Sequence, residues 1–575
     1  MRQEFQRIFK EHITSEHASS DYFGCIKEFL SRRDAATDLE ERAFWQKGID
    51  RIYPLIENEL QSNTGSPRQH ISFGTSGWRG ILGKDLFCLS VAQVTAAIAS
   101  IYLELEQAPA DLRQALGVTS TEEARRRGCL LGFDNRFGGA LLAESVMAVL
   151  TSLGFVVHYA GESTTGALSA ALLRLNAAFS INLTPSHNPL QYGGFKYNAA
   201  DGGPAASVIT AEIGRRARQL VESATLPPAT GDAGLIREVD AFALWQELVR
   251  ANRSVHGLDY DAIIAAFFAR HDLVVAVDAV HGASRIHLTR FFLDQPSDRL
   301  IFLRTGDDPT FGGVAPEPSS ANLAGVREVL ASRSEPLKLG MIIDPDADRI
   351  RFTDGVNELS MNHFGALAYH FLHTAKGRKG LVAKTVATSN FANAVAAMLG
   401  EEVFEPAVGF KEFKPVIGKA LVCFEESDGI SIIGHTPEKD AYIGMLLALD
   451  MIMTSGLNLI DYQKKVEAQC GSFHPARDGI AVSARGKELE GMLTRLEDFG
   501  PGRRLAVGDG EKTVKELITI DGYKILFEDD SWLMIRPSGT EPKVRFYVEA
   551  RSEADQAALF AAARRLLVEL GVVPG

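Results

Sequence analysis

Cysteine is scarce and unpaired in this sequence: Cys25, Cys88, Cys129, Cys423 and Cys470 lie far apart and form no Cys-x-x-Cys spacing. That argues against a disulfide framework or a clustered zinc site and reads as reduced thiols in a cytoplasmic protein. No run of about 18 apolar residues occurs, and the opening MRQEFQRIFKEH has no apolar stretch of the signal-peptide kind. Neither membrane insertion nor secretion is therefore expected. Blocks of Lys and Arg are missing too, and the formal charge is -13, from 73 acidic against 60 basic residues. A sequence-independent grip on nucleic acid needs concentrated positive charge, so no nucleic-acid partner is expected. An acidic chain can still hold an anionic metabolite through a few local Arg and Lys side chains. The pattern G-x-x-x-x-G-K-[ST] is also absent, which removes nucleotide hydrolysis as the natural use of any phosphate cradle.

What is present is ordinary globular material: 575 residues, 46% hydrophobic and 23% charged, with 52 Gly and 22 Pro that follow no period. That length implies about three to five compact units. Residues 1–65 mix charge with helical apolar spacing, as in FGCIKEFLSRR and ERAFWQKGIDRIYPLIENEL, and end in the breaker-rich QSNTGSPRQ, which predicts a helical N-terminal extension. Short β-branched runs then alternate with helical patterns. CLLGFDNR, AFSINLTPS, LVVAVDAVHG, LGMIIDPDADR and ALVCFEESDG read as strands ending in polar loops, and GALLAESVMAVLTSLG and FANAVAAMLGEE as helices. This alternation predicts α/β domains with largely parallel sheets. Function in such sheets sits in loops beyond the carboxyl ends of strands, which here carry Ser186, Asp278, Asp344–Arg349 and Glu425–Asp428. The last hundred residues, with KILFEDDSWLMIRPSG, KVRFYVEA and ALFAAARRLLVELG, read as a separate α+β domain.

Five segments carry candidate chemistry. Asp344, Asp346 and Asp348 follow an apolar strand at alternate positions; hard carboxylate oxygens so concentrated suit Mg²⁺, because three like charges without a cation would be costly. Arg349 follows directly. An EF-hand is disfavoured, since its sixth Gly and twelfth Glu are replaced by Arg349 and Gly355. Arg536, Ser538, Gly539 and Thr540 in RPSGT supply the guanidinium, hydroxyls and open backbone of a phosphate cradle. Glu425 and Ser427 in FEESDG suit sugar hydroxyls, although Ser and Asp before Gly also form plain turns. Ser186 in TPSHNP is by local chemistry a turn residue. Yet His187 and Lys196 flank it as proton carriers, Gly193, Gly194 and Gly202 predict an open following loop, and a metal nearby would let the serine accept phosphate. Arg79, closing the loop FGTSGWRG, would complete an anion site.

These segments, in this order, resemble the α-D-phosphohexomutase superfamily of phosphoglucomutases and phosphomannomutases, from about residue 70 to the C-terminus. GTSGWRG and TPSHNPLQYGGFKYNAADGGPA resemble bacterial phosphoglucomutases most. The resemblance implies a four-domain α/β architecture around a central cleft: three related α/β domains and a C-terminal α+β domain like the TATA-binding protein. Here the boundaries fall at 66–234 for the serine loop, 235–357 for the metal loop, 358–470 for the sugar loop and 471–575 for the phosphate loop. It further implies a phosphoserine at Ser186, Mg²⁺ on Asp344, Asp346, Asp348 and Ser186, and Arg349 and Arg79 steadying the transferring group. His187 and Lys196 would move protons, Lys411 in VGFKEF would lie near the sugar phosphate, Glu425 and Ser427 would hold the sugar, and Arg536, Ser538, Gly539 and Thr540 the idle phosphate.

The implied activity interconverts glucose 1-phosphate and glucose 6-phosphate, with glucose 1,6-bisphosphate as activator, in a cytoplasmic monomer or weak homodimer. The sugar loop departs from the pattern, because Phe424 stands where the family has Gly and Asp428 follows Ser427; mannose, glucosamine and pentose phosphates stay open as substrates. Two rivals fit less. A haloacid-dehalogenase-type phosphatase would use Asp344 as nucleophile, but expects Thr where Asp348 stands and leaves TPSHNP and RPSGT without a role. A non-catalytic sugar-phosphate binder should have lost a reactive residue, and none of the matched ones is missing.

Overall fold

A computed structural model describes residues 1–573 apart from 75–76, 485 and 538–542. Its strands form four sheets. In the first, the spatial order is Trp78–Ile81, Tyr192–Ala199, Phe179–Leu183, Cys129–Phe133, Val157–Glu162 and Ile236–Glu238. In the second it is Glu358–Leu359, Ile350–Thr353, Leu337–Ile343, Leu273–Asp278 and Leu300–Leu303. Val403–Phe404, Val382–Lys384, Val422–Glu425 and Gly429–Ile432 make the third. The central strands are parallel, and those such as Leu273–Asp278 (LVVAVD) are buried along their whole length, as β-branched runs covered on both faces must be.

One device recurs in these three sheets. A central strand runs out into a loop and returns beside itself antiparallel: Phe179–Leu183 into Tyr192–Ala199, with Asn182 opposite Lys196; Leu337–Ile343 into Ile350–Thr353, with Ile343 opposite Ile350; Val422–Glu425 into Gly429–Ile432, with Glu425 opposite Gly429. Each loop has a non-glycine residue in the left-handed region, Ser186 at φ 56°, Ala347 at φ 53° and Asp428 at φ 73°. Such a conformation costs about 1–3 kcal/mol and persists only where the surroundings over-determine it.

The glycines after the serine loop do not keep it open. Gly193 and Gly194 lie inside the strand Tyr192–Ala199, and a Cβ on Gly194 would stand 2.2 Å from the Thr184 carbonyl oxygen. The smallness of Gly194 lets this strand press against the serine loop, and that of Gly193 lets it pack on Leu82 and Leu86; Gly202, at φ 79°, is the one that turns the chain.

Helices Arg2–His12, Tyr22–Ala35, Leu39–Asp50 and Tyr53–Ser62 share a core with the first sheet, Phe29, Ile49, Ile56 and Leu60 clustering with Val94 and Leu131. Helix Ala441–Ser455, capped by the Asp440 side chain, joins the cores of the second and third sheets. No single helix among the described residues is long and apolar enough to cross a membrane. The fourth sheet is antiparallel throughout, in the order His474–Ala481, Lys543–Ala550, Trp532–Pro537, Tyr523–Phe527, Gly510–Ile518 and Arg504–Val507. Helix Glu553–Glu569 completes its separate core.

Candidate active site

The metal loop is a hub on which three sheets converge. The carbonyl of Pro345 accepts from Ala283 N–H at 2.7 Å, that of Asp346 from Thr165 N–H at 2.8 Å, and that of Ala347 from Ala441 N–H at 2.9 Å. Three successive peptide units are thus held by elements of the second, first and third domains. The sugar loop joins the same hub through Ile350 N–H on the Asp428 carbonyl at 2.9 Å and Arg351 on the Asp428 carboxylate at 2.7 Å.

Into this hub the first domain delivers its serine. Ser186 Oγ donates to Asp344 Oδ2 at 2.8 Å and lies 3.3 Å from Asp348 Oδ1 and 3.4 Å from His187 Nδ1. Opposite, Lys196 Nζ contacts Asp346 Oδ2 at 2.6 Å and Asp348 Oδ2 at 2.9 Å. Lys439 reaches Asp348 Oδ2 at 3.1 Å, and Thr165 Oγ1 donates to Asp346 Oδ2 at 2.8 Å. Burial alone would raise Asp348, but Lys196, Lys439 and Arg349 outweigh it and hold this carboxylate well below its ordinary range. At Asp344 the balance is reversed: burial, then Asp348 and Asp346, outweigh Arg349 and the Ser186 hydroxyl and push its pKa well above that range.

A cation fits this donor set. All three aspartates are buried, and one oxygen from each can be chosen so that the set lies within 4.8 Å of one another. The lysines occupy Oδ2 of Asp346 and Asp348, while the buried Asp346 Oδ1 has no hydrogen-bond partner. An unpaired hard oxygen beside two other carboxylates and a serine hydroxyl is what Mg²⁺ takes.

Anion-binding capacity is equally marked. Arg79, in strand Trp78–Ile81, and Arg349 each have a buried Nε with no hydrogen-bond partner, that of Arg349 lying 3.7 Å from Asp348 Oδ1; burial and then the neighbouring Arg349 lower the pKa of Arg79. Two crowded guanidiniums with unused donors suit a phosphoryl group. His187 is pushed well below its usual value by burial and then by Arg349 and Arg79, so its imidazole is neutral. Lys196 differs: burial would depress it, but Asp346 and Asp348 win and hold the ammonium above its ordinary value.

Glu425 closes the third strand in a buried site where its Oε1 accepts Gly409 N–H at 3.1 Å, and burial pushes its pKa up to about 7. Ser427 sits half-buried in the turn. The unusual neighbours of this pair serve packing: Phe424 fills the space left by Gly365, whose Cβ would stand 2.2 Å from the ring, and Asp428 is paired with Arg351. Lys411 lies in the turn Phe410–Val416 and donates to Ser207 Oγ of the first domain at 2.9 Å. Arg536, near the end of strand Trp532–Pro537, is paired with Asp521 at 3.1 Å and retains an unpartnered Nε. Ser538, Gly539 and Thr540 lie outside the described residues.

Some expected and unexpected residues change places. Asp278 is no part of the site; its carboxylate holds Arg304, with an Nη2 contact at 2.7 Å. Conversely, Thr165, Lys439, Asp134 and Arg136 belong to the site or its support without having been singled out. Lys439 could have been noticed as the lysine in PEKDA directly before an apolar helix, and Asp134 and Arg136 as the charged end of strand CLLGF.

Comparison with known proteins places all four domains in one family. Profiles of phosphoglucomutase/phosphomannomutase match in chain order: alpha/beta/alpha domain I over residues 70–223, domain II over 260–357, domain III over 360–469 and the C-terminal domain over 487–566. A phosphoglucomutase/phosphomannomutase of Thermococcus kodakarensis is 26% identical over 497 residues, covering 84% of this chain and 95% of its own. The open form of the Paramecium phosphoglucomutase parafusin superposes with a TM-score of 0.67 at 20% identity, over 89% of this chain and 96% of its own. An Aspergillus fumigatus N-acetylphosphoglucosamine mutase, solved with GlcNAc-6P and magnesium, gives 0.51 at 15% identity over 90% and 99%.

Proposed function

Since the chain belongs to the phosphoglucomutase/phosphomannomutase family, the α-D-phosphohexomutases, and is thereby a phosphotransferase mutase, we propose that it interconverts glucose 1-phosphate and glucose 6-phosphate. The route is a phosphoserine at Ser186 and a glucose 1,6-bisphosphate intermediate. The observation that carries this reading is the Ser186 hydroxyl, 2.8 Å from Asp344 inside a buried triad of carboxylates and next to two arginines with unused donors.

A phosphoserine carries about -1.5 to -2 charge at neutral pH, so it needs the cationic wall that Arg79, Arg349, Lys196 and Lys439 provide. Asp344, Asp346 and Asp348 would hold Mg²⁺ together with Ser186, and the ion when bound supplies charge neutralisation as the P–O bond loosens. The neutral His187 imidazole, 3.4 Å from Ser186 Oγ, is the better proton carrier; Lys196 is committed as an ammonium to two aspartates and positions them instead. Glu425 and Ser427 would orient the sugar, while Arg536 holds the phosphate that is not reacting. After one transfer the bisphosphate turns around and returns its other phosphate to Ser186. Exclusion of water in the cleft limits loss by hydrolysis.

Glucose is favoured by GTSGWRG and by the serine-loop wording. The divergence of the sugar loop does not weigh against it, because Phe424 and Asp428 are used in packing and pairing and are not the residues proposed to hold the sugar. A coupled assay over glucose, mannose and glucosamine 1-phosphates, with glucose 1,6-bisphosphate as activator, should give the highest kcat/KM for glucose. A higher value for another hexose overturns the sugar. Replacing Ser186 with Ala should cut turnover by about 10⁴-fold or more with an unchanged thermal unfolding curve; near-normal turnover in host-enzyme-free protein overturns the serine.

A further inference from the structure

The N-terminal helices lie outside all four matched domains, which begin at residue 70, yet they lead by a short chain of contacts to the serine loop. The central link is Arg136. Its Nη1 donates to the carbonyls of Pro189 at 2.9 Å and Tyr192 at 3.2 Å, and its Nη2 to those of Ser186 at 2.7 Å and Asn188. One guanidinium therefore fastens four carbonyls of the loop that bears the reactive hydroxyl. The other side of Ser186 is held from the same turn: its N–H donates to Thr184 Oγ1 at 2.9 Å, and Thr184 Oγ1 donates to Asp134 Oδ2 at 2.7 Å. Asp134 in turn pairs with Arg136 at 3.3 Å. Ser186 at φ 56° is thus clamped at both its peptide groups, as a strained residue requires.

The N-terminal helices pack around the neighbours of Arg136. Its guanidinium lies over the Phe311 ring at 4.8 Å, and Phe311, fully buried, packs in the cluster that contains Phe29, Leu30 and Leu60. The next residue, Phe137, is stacked by Tyr53 at 4.6 Å. Gly138, at φ 81°, leaves room for Leu60, whose Cδ1 would be 2.5 Å from a Cβ there. Helices Tyr22–Ala35 and Tyr53–Ser62 therefore grip the segment 136–138 and the second-domain turn Phe311–Gly313 together.

We infer that Arg136 is a positioning residue for the Ser186 hydroxyl and that the N-terminal helical unit is the splint that holds it in register. The inference rests on the reading of Ser186 as phosphoryl acceptor. Misplacement of a nucleophile by as little as about 1 Å costs about 100-fold in rate, so the effect falls on the transfer step and not on sugar-phosphate binding.

The test is a single-turnover measurement on dephosphorylated enzyme mixed with glucose 1,6-bisphosphate, following phosphate on Ser186 by intact mass and expressed per folded molecule. Arg136→Lys keeps the charge but loses the two-armed fork; it should slow phosphorylation by about 100-fold while KM for glucose 1-phosphate stays within about twofold. Tyr53→Ala, remote from every reacting atom, should slow the same step by about fivefold, and the double variant should fall short of the product of the two effects, as coupled positions do. Should Arg136→Lys fail to fold, Tyr53→Ala and its unchanged KM carry the test. Variants that phosphorylate at the wild-type rate, or that lose rate only in proportion to a rise in KM, overturn the inference. A wild-type protein that takes no phosphate on Ser186 overturns the reading of the serine and this inference with it.

Discussion

The hub around residues 344–349 and the C-terminal domain that carries Arg536 are built on opposite principles. At the hub, three consecutive carbonyls are bonded to three domains, and every carboxylate of the triad has a cation or hydroxyl within contact distance. The C-terminal domain keeps its own core and meets the rest through the small apolar cluster of Val386, Ala387, Trp532, Met534 and Tyr547. Beside it runs a buried polar seam. Glu405 takes Lys384 at 2.8 Å and Lys524 at 3.0 Å, and Glu549 takes Trp532 Nε1 at 2.8 Å and Asn390 N–H at 2.9 Å. In the proposed reaction the reacting centre must be rigid, whereas the domain proposed to hold the idle phosphate must admit a bisphosphate that turns around. A thin junction with a polar seam suits the second task, since few apolar contacts have to be broken for the domain to move.

The contrast can be broken at either end. Asp348→Asn removes the carboxylate shared by Lys196, Lys439 and Ser186, and turnover should fall by about 100- to 1000-fold, the loss expected when electrostatic stabilisation at the reacting group is removed. The Mg²⁺ concentration needed for half-maximal turnover should rise as well; an unchanged Mg²⁺ titration with near-normal turnover would argue against a role in the triad. Arg536→Ala deletes a charged donor at the holding end, worth about 1.5–3 kcal/mol, so KM for glucose 1-phosphate should rise by about 10- to 100-fold with a smaller change in kcat. Equal losses in kcat and kcat/KM would place Arg536 with the reacting group instead. Glu405→Gln leaves two lysines without their shared carboxylate and should release the C-terminal domain first on heating, seen as an early transition in calorimetry, with only about a few-fold change in kcat. A single cooperative transition at the original temperature would mean that the seam does not fasten the domain.

Legibility followed chain continuity. Ser186, Asp344, Asp346, Asp348, Glu425 and Arg536 were visible because each stands at the end of an apolar strand, where the sequence itself carries the loop chemistry. Thr165, Lys439 and Arg136 were not, because each reaches the site from a different segment through a contact that no local pattern encodes. Gly193 and Gly194 were misjudged for a related reason: in isolation a Gly pair signals a loop, but here it lies in a strand pressed against Thr184. Asp278 follows a strand just as Asp344 does, yet it is neutralised by Arg304, and only the partner distinguishes a structural aspartate from a candidate ligand.

The sequence by itself determined the α/β class, the order of the loops and which serine, aspartates and arginine stand as candidates for the site, because period and contiguous motif are local properties of the chain. The tertiary structure decided which charges share a site, that burial pushes His187 down while Asp346 and Asp348 hold Lys196 up, and that the N-terminal helices pack against the segment following Arg136. Those outcomes depend on burial and on distances between residues far apart in sequence, as with the 2.6 Å contact of Lys196 with Asp346, and electrostatic energies inside a protein are set by such distances and by the exclusion of water.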